Sequence, residues 1–224
     1  MKKLLTITLA ILMFFAFSAC SNNSENTEPK ITSNSTETNP TEKTENTISA
    51  NDKTLVVYFS RTGENYNVGN IEKGNTHIIA DMIAEKTNAD MFEITTVNKY
   101  PETYDDCTKA AKQEKDNNAR PDIVGTVENM EQYDTVFIGY PIWWSDMPMA
   151  VYTFLESYDF SGKTIIPFCT HEGSGLSGTP NNIQNACPSA TVLTDAFEIR
   201  GRDAQNAQNE AKEQVENWLN KIDK

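Results

Sequence analysis

Leu55-Val56-Val57-Tyr58-Phe59 is a short, unbroken run of β-formers. A run apolar on both faces suits a central parallel strand with helices above and below it. A polar, glycine-containing stretch from Ser60 to Thr76 follows, and then Ile78, Ile79, Met82 and Ile83 recur at helical spacing, which predicts an amphipathic helix ending near Lys86. The alternation continues. Asp90 to Thr95 reads as a second strand, the polar segment Thr103 to Asn118 as a surface helix, and Thr135 to Tyr140 as a third, buried strand. Met149 to Ser157 reads as a helix with Val151, Phe154 and Leu155 inward, and Thr164 to Phe168 as a fourth strand. Thr179-Pro180 has the form of an N-cap followed by proline at the first helical position. Either Thr191 to Leu193 or Ala196 to Ile199 supplies a fifth strand. Ala211, Val215, Trp218 and Ile222 form the apolar stripe of a last helix, with Asp203 as its expected cap.

Strand and helix alternating in this way predict an α/β fold in three layers: a doubly wound, five-stranded parallel sheet with helices on both faces. Ligands of such sheets bind beyond the C-terminal ends of the strands, so the chemistry is sought in the loops that leave those ends.

The chain before the first strand is of another kind. Lys2 and Lys3 precede an apolar run, Leu4 to Phe17, that is short for a membrane span. Phe17-Ser18-Ala19-Cys20 resembles the lipobox of bacterial lipoproteins, which implies cleavage before Cys20 and lipid on its sulfur. The alternative is an ordinary signal peptide cut near Ala19. Residues 21–53 are dominated by Ser, Asn, Thr and Glu. They bury too little apolar surface to offset ordering entropy and read as a tether of about 30 Å root-mean-square span. The expected organisation is a signal peptide at 1–19, a lipidated cysteine and tether at 20–53, and one folded domain at 54–224. That domain is exported, faces outside the cytoplasm, and touches the membrane only through the anchor.

The net charge of −13 sits almost wholly in the domain, where 14 basic and 26 acidic residues fall. Nucleic acid is excluded as a partner, since its binding needs clustered Lys and Arg. The surface suits a partner with a basic patch, or serves solubility alone. Cys107, Cys169 and Cys187 form no CxxC pair, so neither a zinc site nor a dithiol motif is indicated. One disulfide among them is compatible with export.

Three loops carry candidate chemistry. After the first strand, the hydroxyls of Ser60, Thr62 and Thr76, the Asn75 amide and the charge of Arg61 lie near a helix N-terminus, where a phosphate gains backbone N–H groups and the positive dipole end. Neither GxxxxGK[ST] nor GxGxxG is present, which points to a single phosphate. An ordinary capped turn gives the same pattern. After the third strand, Pro141-Ile142-Trp143-Trp144 offers an aromatic platform for a flat ring, or packs one Trp beneath the loop. Neighbours in an extended loop point oppositely, so both can hold. After the fourth strand, Cys169-Thr170-His171-Glu172-Gly173-Ser174-Gly175 has the glycines that let backbone approach the edge of a heterocycle. His171 and Glu172 do not form an evident metal pair.

Taken together, the three loops resemble the flavodoxin family over about residues 54–222. Ser60-Arg61-Thr62-Gly63 with Asn75-Thr76 looks like the family's phosphate loop, opened by an insertion from Glu64 to Lys73. Pro141 to Trp144 looks like the loop covering one face of an isoalloxazine ring, and Thr170 to Gly175 like the loop at its pyrimidine edge. The resemblance implies strand order 2-1-3-4-5, non-covalent FMN bound by these residues, and electron transfer with a redox partner. Two departures stand out. No glycine lies between Pro141 and Ser145, where simple flavodoxins often place one whose peptide flips on reduction. Glu172 brings a carboxylate where small residues are commoner, which near the ring disfavours an anionic reduced flavin and lowers its potential. An FMN-dependent NAD(P)H:quinone-type oxidoreductase and a flavin-free binding lipoprotein are the alternative readings, because one fold hosts many functions.

Overall fold

The structure is a computed structural model and describes residues 53–223. The expected signal segment, the Cys20 lipidation site and the tether up to residue 52 lie outside the described residues.

Five strand positions form one parallel sheet. β1 (Thr54–Tyr58) lies between β4 (Asp90–Glu93) and β5 (Thr135–Pro141), and β5 pairs in turn with β6 (Thr164–His171). The outer position beyond β6 is shared by β7 (Thr191–Val192) and β8 (Phe197–Arg200), both parallel to it. Counting that shared position once, the order is 2-1-3-4-5, as expected. Both candidates for the fifth strand are therefore used. β7 meets Thr164 and Ile165, while β8 meets Phe168 to His171. The interruption falls at Pro167. The Leu193 amide bonds to the Ile165 carbonyl, so Ile165, and two residues on Pro167, face this edge. Proline has no N–H to give the ladder there.

The layers follow from the alternation of side chains along β1 and β5. Val56, Tyr58 and Phe137 enter one core with α1 (Asn75–Thr87) and α6 (Gln208–Ile222). Leu55, Val57, Phe59, Val136, Ile138 and Tyr140 enter the other with α3 (Met149–Glu156) and α4 (Thr179–Ala186). Gly139 interrupts β5 for a steric reason: a Cβ there would lie 2.1 Å from the ring of Phe168 on the next strand.

Several boundaries differ from expectation. The Glu64 to Lys73 insertion folds as an antiparallel hairpin, β2 (Gly63–Asn65) with β3 (Gly69–Ile71), turned by Asn67 and Gly69 at φ 62° and 72°. Its strands are too short and polar to show an apolar alternation. β6 runs on to His171, so Thr170 and His171 belong to a strand and not to a loop. Gly178 in the left-handed region precedes α4, which places Thr179 and Pro180 inside the helix. Asp203 lies within a short helix, α5 (Gly201–Asn206), and α6 starts after Ala207. The polar surface helix forms as α2 (Tyr104–Asp116), with the Thr103 hydroxyl accepting from the Asp106 amide at 3.3 Å. Cys107, Cys169 and Cys187 are free and buried. Among the described residues no helix is long and apolar enough to cross a membrane.

Candidate functional site

The C-terminal ends of β1, β5 and β6 open onto one cavity of about 280 Å³. At β1, the Ser60 hydroxyl accepts from the His77 amide at 3.1 Å and so caps α1 from outside the helix. Gly74 closes this corner: a Cβ there would lie 2.2 Å from Ser60 Oγ and 2.6 Å from the Arg61 carbonyl. Gly63 instead starts the hairpin. Thr76 is buried, and its hydroxyl meets that of Thr170 at 2.8 Å. Thr76 begins α1, and its backbone amide is also among those a ligand at the helix start can meet. Asn75 faces the cavity, and its Oδ1 is buried without a partner. A buried acceptor left unpaired costs about 1–3 kcal/mol, so this atom calls for a donor.

Arg61 does not wait for an anion. Its guanidinium donates to the carbonyls of Pro101, Glu102 and Thr103 at 2.8, 2.6 and 3.3 Å, and to that of Glu64. This side chain fastens the hairpin to the entry of α2.

At β5, Trp143 and Asp146 exchange both backbone hydrogen bonds, at 2.8 and 3.0 Å. Between them Trp144 and Ser145 have φ of 52° and 60°. The expected extended loop is thus a two-residue hairpin turn whose central residues are both left-handed, the geometry of a type I′ turn. Neither is glycine, so the turn carries strain of about 1–3 kcal/mol per residue. The Asp146 carboxylate holds it. Oδ1 accepts from the Met147 amide at 2.9 Å, Tyr152 Oη at 3.0 Å and Asn182 Nδ2 at 2.9 Å. Lys115 lies 3.7 Å from Oδ2 and donates to the Trp144 carbonyl. Burial and this carboxylate push the Tyr152 phenol well up.

The two tryptophans have different surroundings. Trp143 packs edge-on against Phe59 and Tyr100, with centroids 5.3 and 5.1 Å away. Beneath it the Tyr100 hydroxyl donates to Glu114 at 2.6 Å, and burial raises both groups. Trp144 stays exposed, and its Nε1 donates to the Thr108 carbonyl at 3.0 Å.

At β6, His171 is turned toward the sheet edge. Its Nδ1 accepts from the Gly173 amide at 2.8 Å, which puts the ring proton of the neutral form on Nε2, facing the Glu198 carboxylate. Glu172 spans two elements: Oε1 accepts from the Arg202 amide and Oε2 from Asn67 Nδ2, both at 2.9 Å. The loop beyond is anchored by Tyr140 Oη on Thr179 Oγ1 at 2.8 Å, and by that hydroxyl on the Leu176 carbonyl at 2.6 Å.

The cavity gathers Arg61, Asn75, Pro141, Ile142, Trp143, Trp144, Thr170, His171 and Glu172 from the expected residues. Ser60 and Thr62 line a neighbouring open groove. Gly173, Ser174 and Gly175 lie beyond the cavity lining. Asn65 and Tyr66 of the hairpin, and Tyr104, Cys107, Thr108 and Ala111 of α2, complete the wall and were not anticipated. A signal for the last four was present, since positions 104, 107, 108 and 111 share one helical face. Burial raises the Cys107 thiol, against a smaller opposing effect of Arg61. No cluster of three or more potential metal ligands occurs among the described residues.

The sequence profile described as Flavodoxin matches residues 53–222. A protein from Bacteroides eggerthii assigned as a flavoprotein is 27% identical, with a TM-score of 0.61 over 77% of this chain and 98% of that one. One from Bacteroides uniformis is 29% identical, with a TM-score of 0.60 over 74% and 98%. A Lactobacillus acidophilus flavoprotein solved in complex with FMN shares the fold at 18% identity, with a TM-score of 0.52 over 70% and 97%. No curated protein matches the chain.

Proposed function

The chain belongs to the flavodoxin family through residues 53–222, and from that premise we propose that its cavity holds FMN non-covalently for electron transfer. The observation that carries this reading is convergence: Asn75 after β1, Trp143 and Trp144 after β5, and Thr170 to Glu172 at the end of β6 all line one cavity. The unpaired Asn75 Oδ1 fits a ligand with N–H or O–H groups, which a ribityl chain and a flavin ring both carry. The FMN held by the Lactobacillus acidophilus relative supports the same cofactor.

The residues suited to the phosphate are Ser60 and Thr62 through their hydroxyls, and Asn75 and Thr76 through backbone N–H groups at the start of α1, where the helix dipole favours negative charge. Ile142 to Trp144 on one side, and His171 with Glu172 on the other, suit the ring. Bound FMN supplies one- and two-electron chemistry. The chain's own part is to fix the ring, through the braced turn at Trp144-Ser145, and to limit water behind it, through Trp143, Phe59 and Tyr100. The wider setting belongs to the proposal as well: export, a lipid on Cys20, and a basic redox partner met by the acidic surface.

The test is an absorbance titration of the purified full-length protein with FMN. Uptake of one flavin, weakened in a Trp144→Ala variant, is the expected result; a chain that stays colourless refutes the reading. For the anchor, Cys20→Ser is expected to abolish labelling by radioactive fatty acid and release the protein from membranes.

A further inference from the structure

Tyr100 and Trp143 stand back to back in one wall of the cavity. Trp143 lines the cavity, while Tyr100 lines the open groove beside it. Their rings meet edge-on, with centroids 5.1 Å apart and planes at 84°, a geometry of aromatic pairs in contact. Phe59 packs against both, at 5.3 Å from Trp143 and 5.7 Å from Tyr100. Among the described residues this is the one place where a tryptophan ring meets a tyrosine ring.

The phenol also has a proton acceptor. Its hydroxyl donates to Glu114 Oε2 at 2.6 Å, a length typical of bonds to an ionised oxygen, about 2.5–2.7 Å. Burial pushes the phenol well up and raises the carboxyl, so a proton moved onto Glu114 neutralises a charge that this site disfavours. The Cys107 thiol also bears on the phenol, but burial raises it too, so it keeps its own proton and takes no other. Two further tyrosines share the acceptor and not the setting. Tyr133 donates to Asp90 at 2.7 Å, and Tyr152 to Asp146 at 3.0 Å. The Asp90 carboxyl is lowered by its bonds to Tyr133 and Lys53, which makes it a weaker base, and Asp146 Oδ1 serves two more donors. Neither phenol meets a tryptophan ring.

A neutral phenol reduces an oxidised tryptophan beside it only if its proton leaves with the electron, because an oxidised phenol is a far stronger acid than any carboxylic acid. The wall provides both exits. We propose that Tyr100 and Glu114 form a proton-coupled redox site, which returns an electron to Trp143 after Trp143 has given one up to an oxidant in the cavity. The step balances: the Trp143 radical cation, the Tyr100 phenol and the Glu114 carboxylate give neutral Trp143, the Tyr100 phenoxyl radical and the Glu114 carboxylic acid. One electron crosses the ring contact from Tyr100 to Trp143, and the hydroxyl proton passes to Glu114 Oε2. The radical thereby leaves the cavity and rests at the wall of the groove. The oxidant is a one-electron acceptor, and on the FMN reading it is the flavin excited by light. Only that last assignment rests on the FMN reading.

The experiment exposes the full-length protein, without added flavin, to a pulse of azide radical, which takes single electrons from tryptophan and becomes azide. Tryptophanyl absorbance should decay into tyrosyl absorbance in a phase that is independent of protein concentration and at least twofold slower in D2O. Tyr100→Phe and Trp143→Phe should each remove that phase. Glu114→Gln keeps an oxygen for the hydroxyl but cannot hold its proton, and should slow the phase at least tenfold, whereas a purely structural bond would leave the rate unmoved. The comparison in D2O needs no variant and decides the proton coupling even if a substitution unfolds the chain. Wild-type protein without this phase overturns the proposal, as does a phase that survives Tyr100→Phe, that Glu114→Gln leaves at the wild-type rate, or that D2O does not slow. In the FMN-loaded protein a laser flash should produce the same tyrosyl signal. Its absence there removes the flavin as oxidant, and a protein that stays colourless removes the FMN reading; in either case the azide experiment decides the fate of the pair.

Discussion

Asn67, at the tip of the hairpin, donates from Nδ2 to Glu172 Oε2 at 2.9 Å, joining positions 105 apart in the chain. The other oxygen of the same carboxylate accepts from the Arg202 amide at 2.9 Å. An insertion and two strand ends are thereby tied across the mouth of the cavity. Glu172 therefore has a structural duty beside any electrostatic one, and the two separate by substitution. Glu172→Gln keeps an oxygen for the Arg202 amide and removes the charge. With FMN bound, its two-electron midpoint potential is expected to rise, because a negative charge nearby disfavours the anionic reduced form. An unchanged potential in spectroelectrochemical titration removes the electrostatic role. Asn67→Ala breaks the tie but keeps the charge. It is expected to leave the potential in place and to speed amide exchange in residues 63–71.

The Trp144-Ser145 turn makes a prediction about stability. Ser145 is exposed and held at φ 60°, a region that glycine enters freely. Ser145→Gly should stabilise the fold by about 1 kcal/mol, offset in part by the greater freedom glycine gives the unfolded chain. Asp146→Ala strips three donors of their acceptor and should cost about 2–3 kcal/mol. Ser145→Gly added to Asp146→Ala should recover more stability than it gives the wild type, because the strain has lost its brace. Equal gains in urea denaturation would show that Asp146 does not brace the turn, and no gain in either background would show that the turn is not strained.

The central strands were legible in the sequence because Leu55–Phe59, Thr135–Tyr140 and Thr164–Phe168 are buried on both faces and read as continuous apolar runs, whereas their order followed only from the family resemblance. The hairpin was not legible. Gly63–Asn65 and Gly69–Ile71 are short and polar, and backbone pairing with support from Glu102 and Arg61 sets them, not an apolar face. The split fifth strand had a visible sign in Pro167, whose missing N–H falls on that edge. Sequence reasoning singled out Trp143, Trp144 and Asn75 by residue type, and the structure places all three along one cavity. It was not legible where polar groups serve each other. Arg61 looks like an anion ligand in sequence, yet carbonyls some forty positions away take its guanidinium. Thr76 looks like a phosphate donor, yet Thr170 takes its hydroxyl.

That threonine pair is open to a double-mutant cycle. Thr76→Val or Thr170→Val alone leaves the other hydroxyl buried without its partner, and each should cost about 1–3 kcal/mol. Together they replace both hydroxyls by methyl groups of similar shape. The double variant should be clearly more stable than the sum of the single losses predicts, giving a coupling of about 1 kcal/mol or more. Additive losses in denaturant titrations would mean that the two hydroxyls do not bond to each other.

Glu114 provides a test of pH dependence. Burial raises its carboxyl above the ordinary value, while the hydrogen bond from Tyr100 opposes that rise less strongly. In the window between the unfolded and folded values, the folded protein holds a proton that the unfolded chain has lost. Stability then falls as pH rises through that window, and above it the whole penalty of a buried charge is present. Glu114→Gln keeps an oxygen for the Tyr100 hydroxyl and removes the charge. At neutral pH the variant should be more stable than the wild type. The difference should shrink as pH is lowered through the window and vanish below the ordinary carboxylate value, where both side chains are neutral. Chemical denaturation of both proteins across the acid range reads this directly. A difference independent of pH would place the effect in packing against Tyr100 and not in the charge.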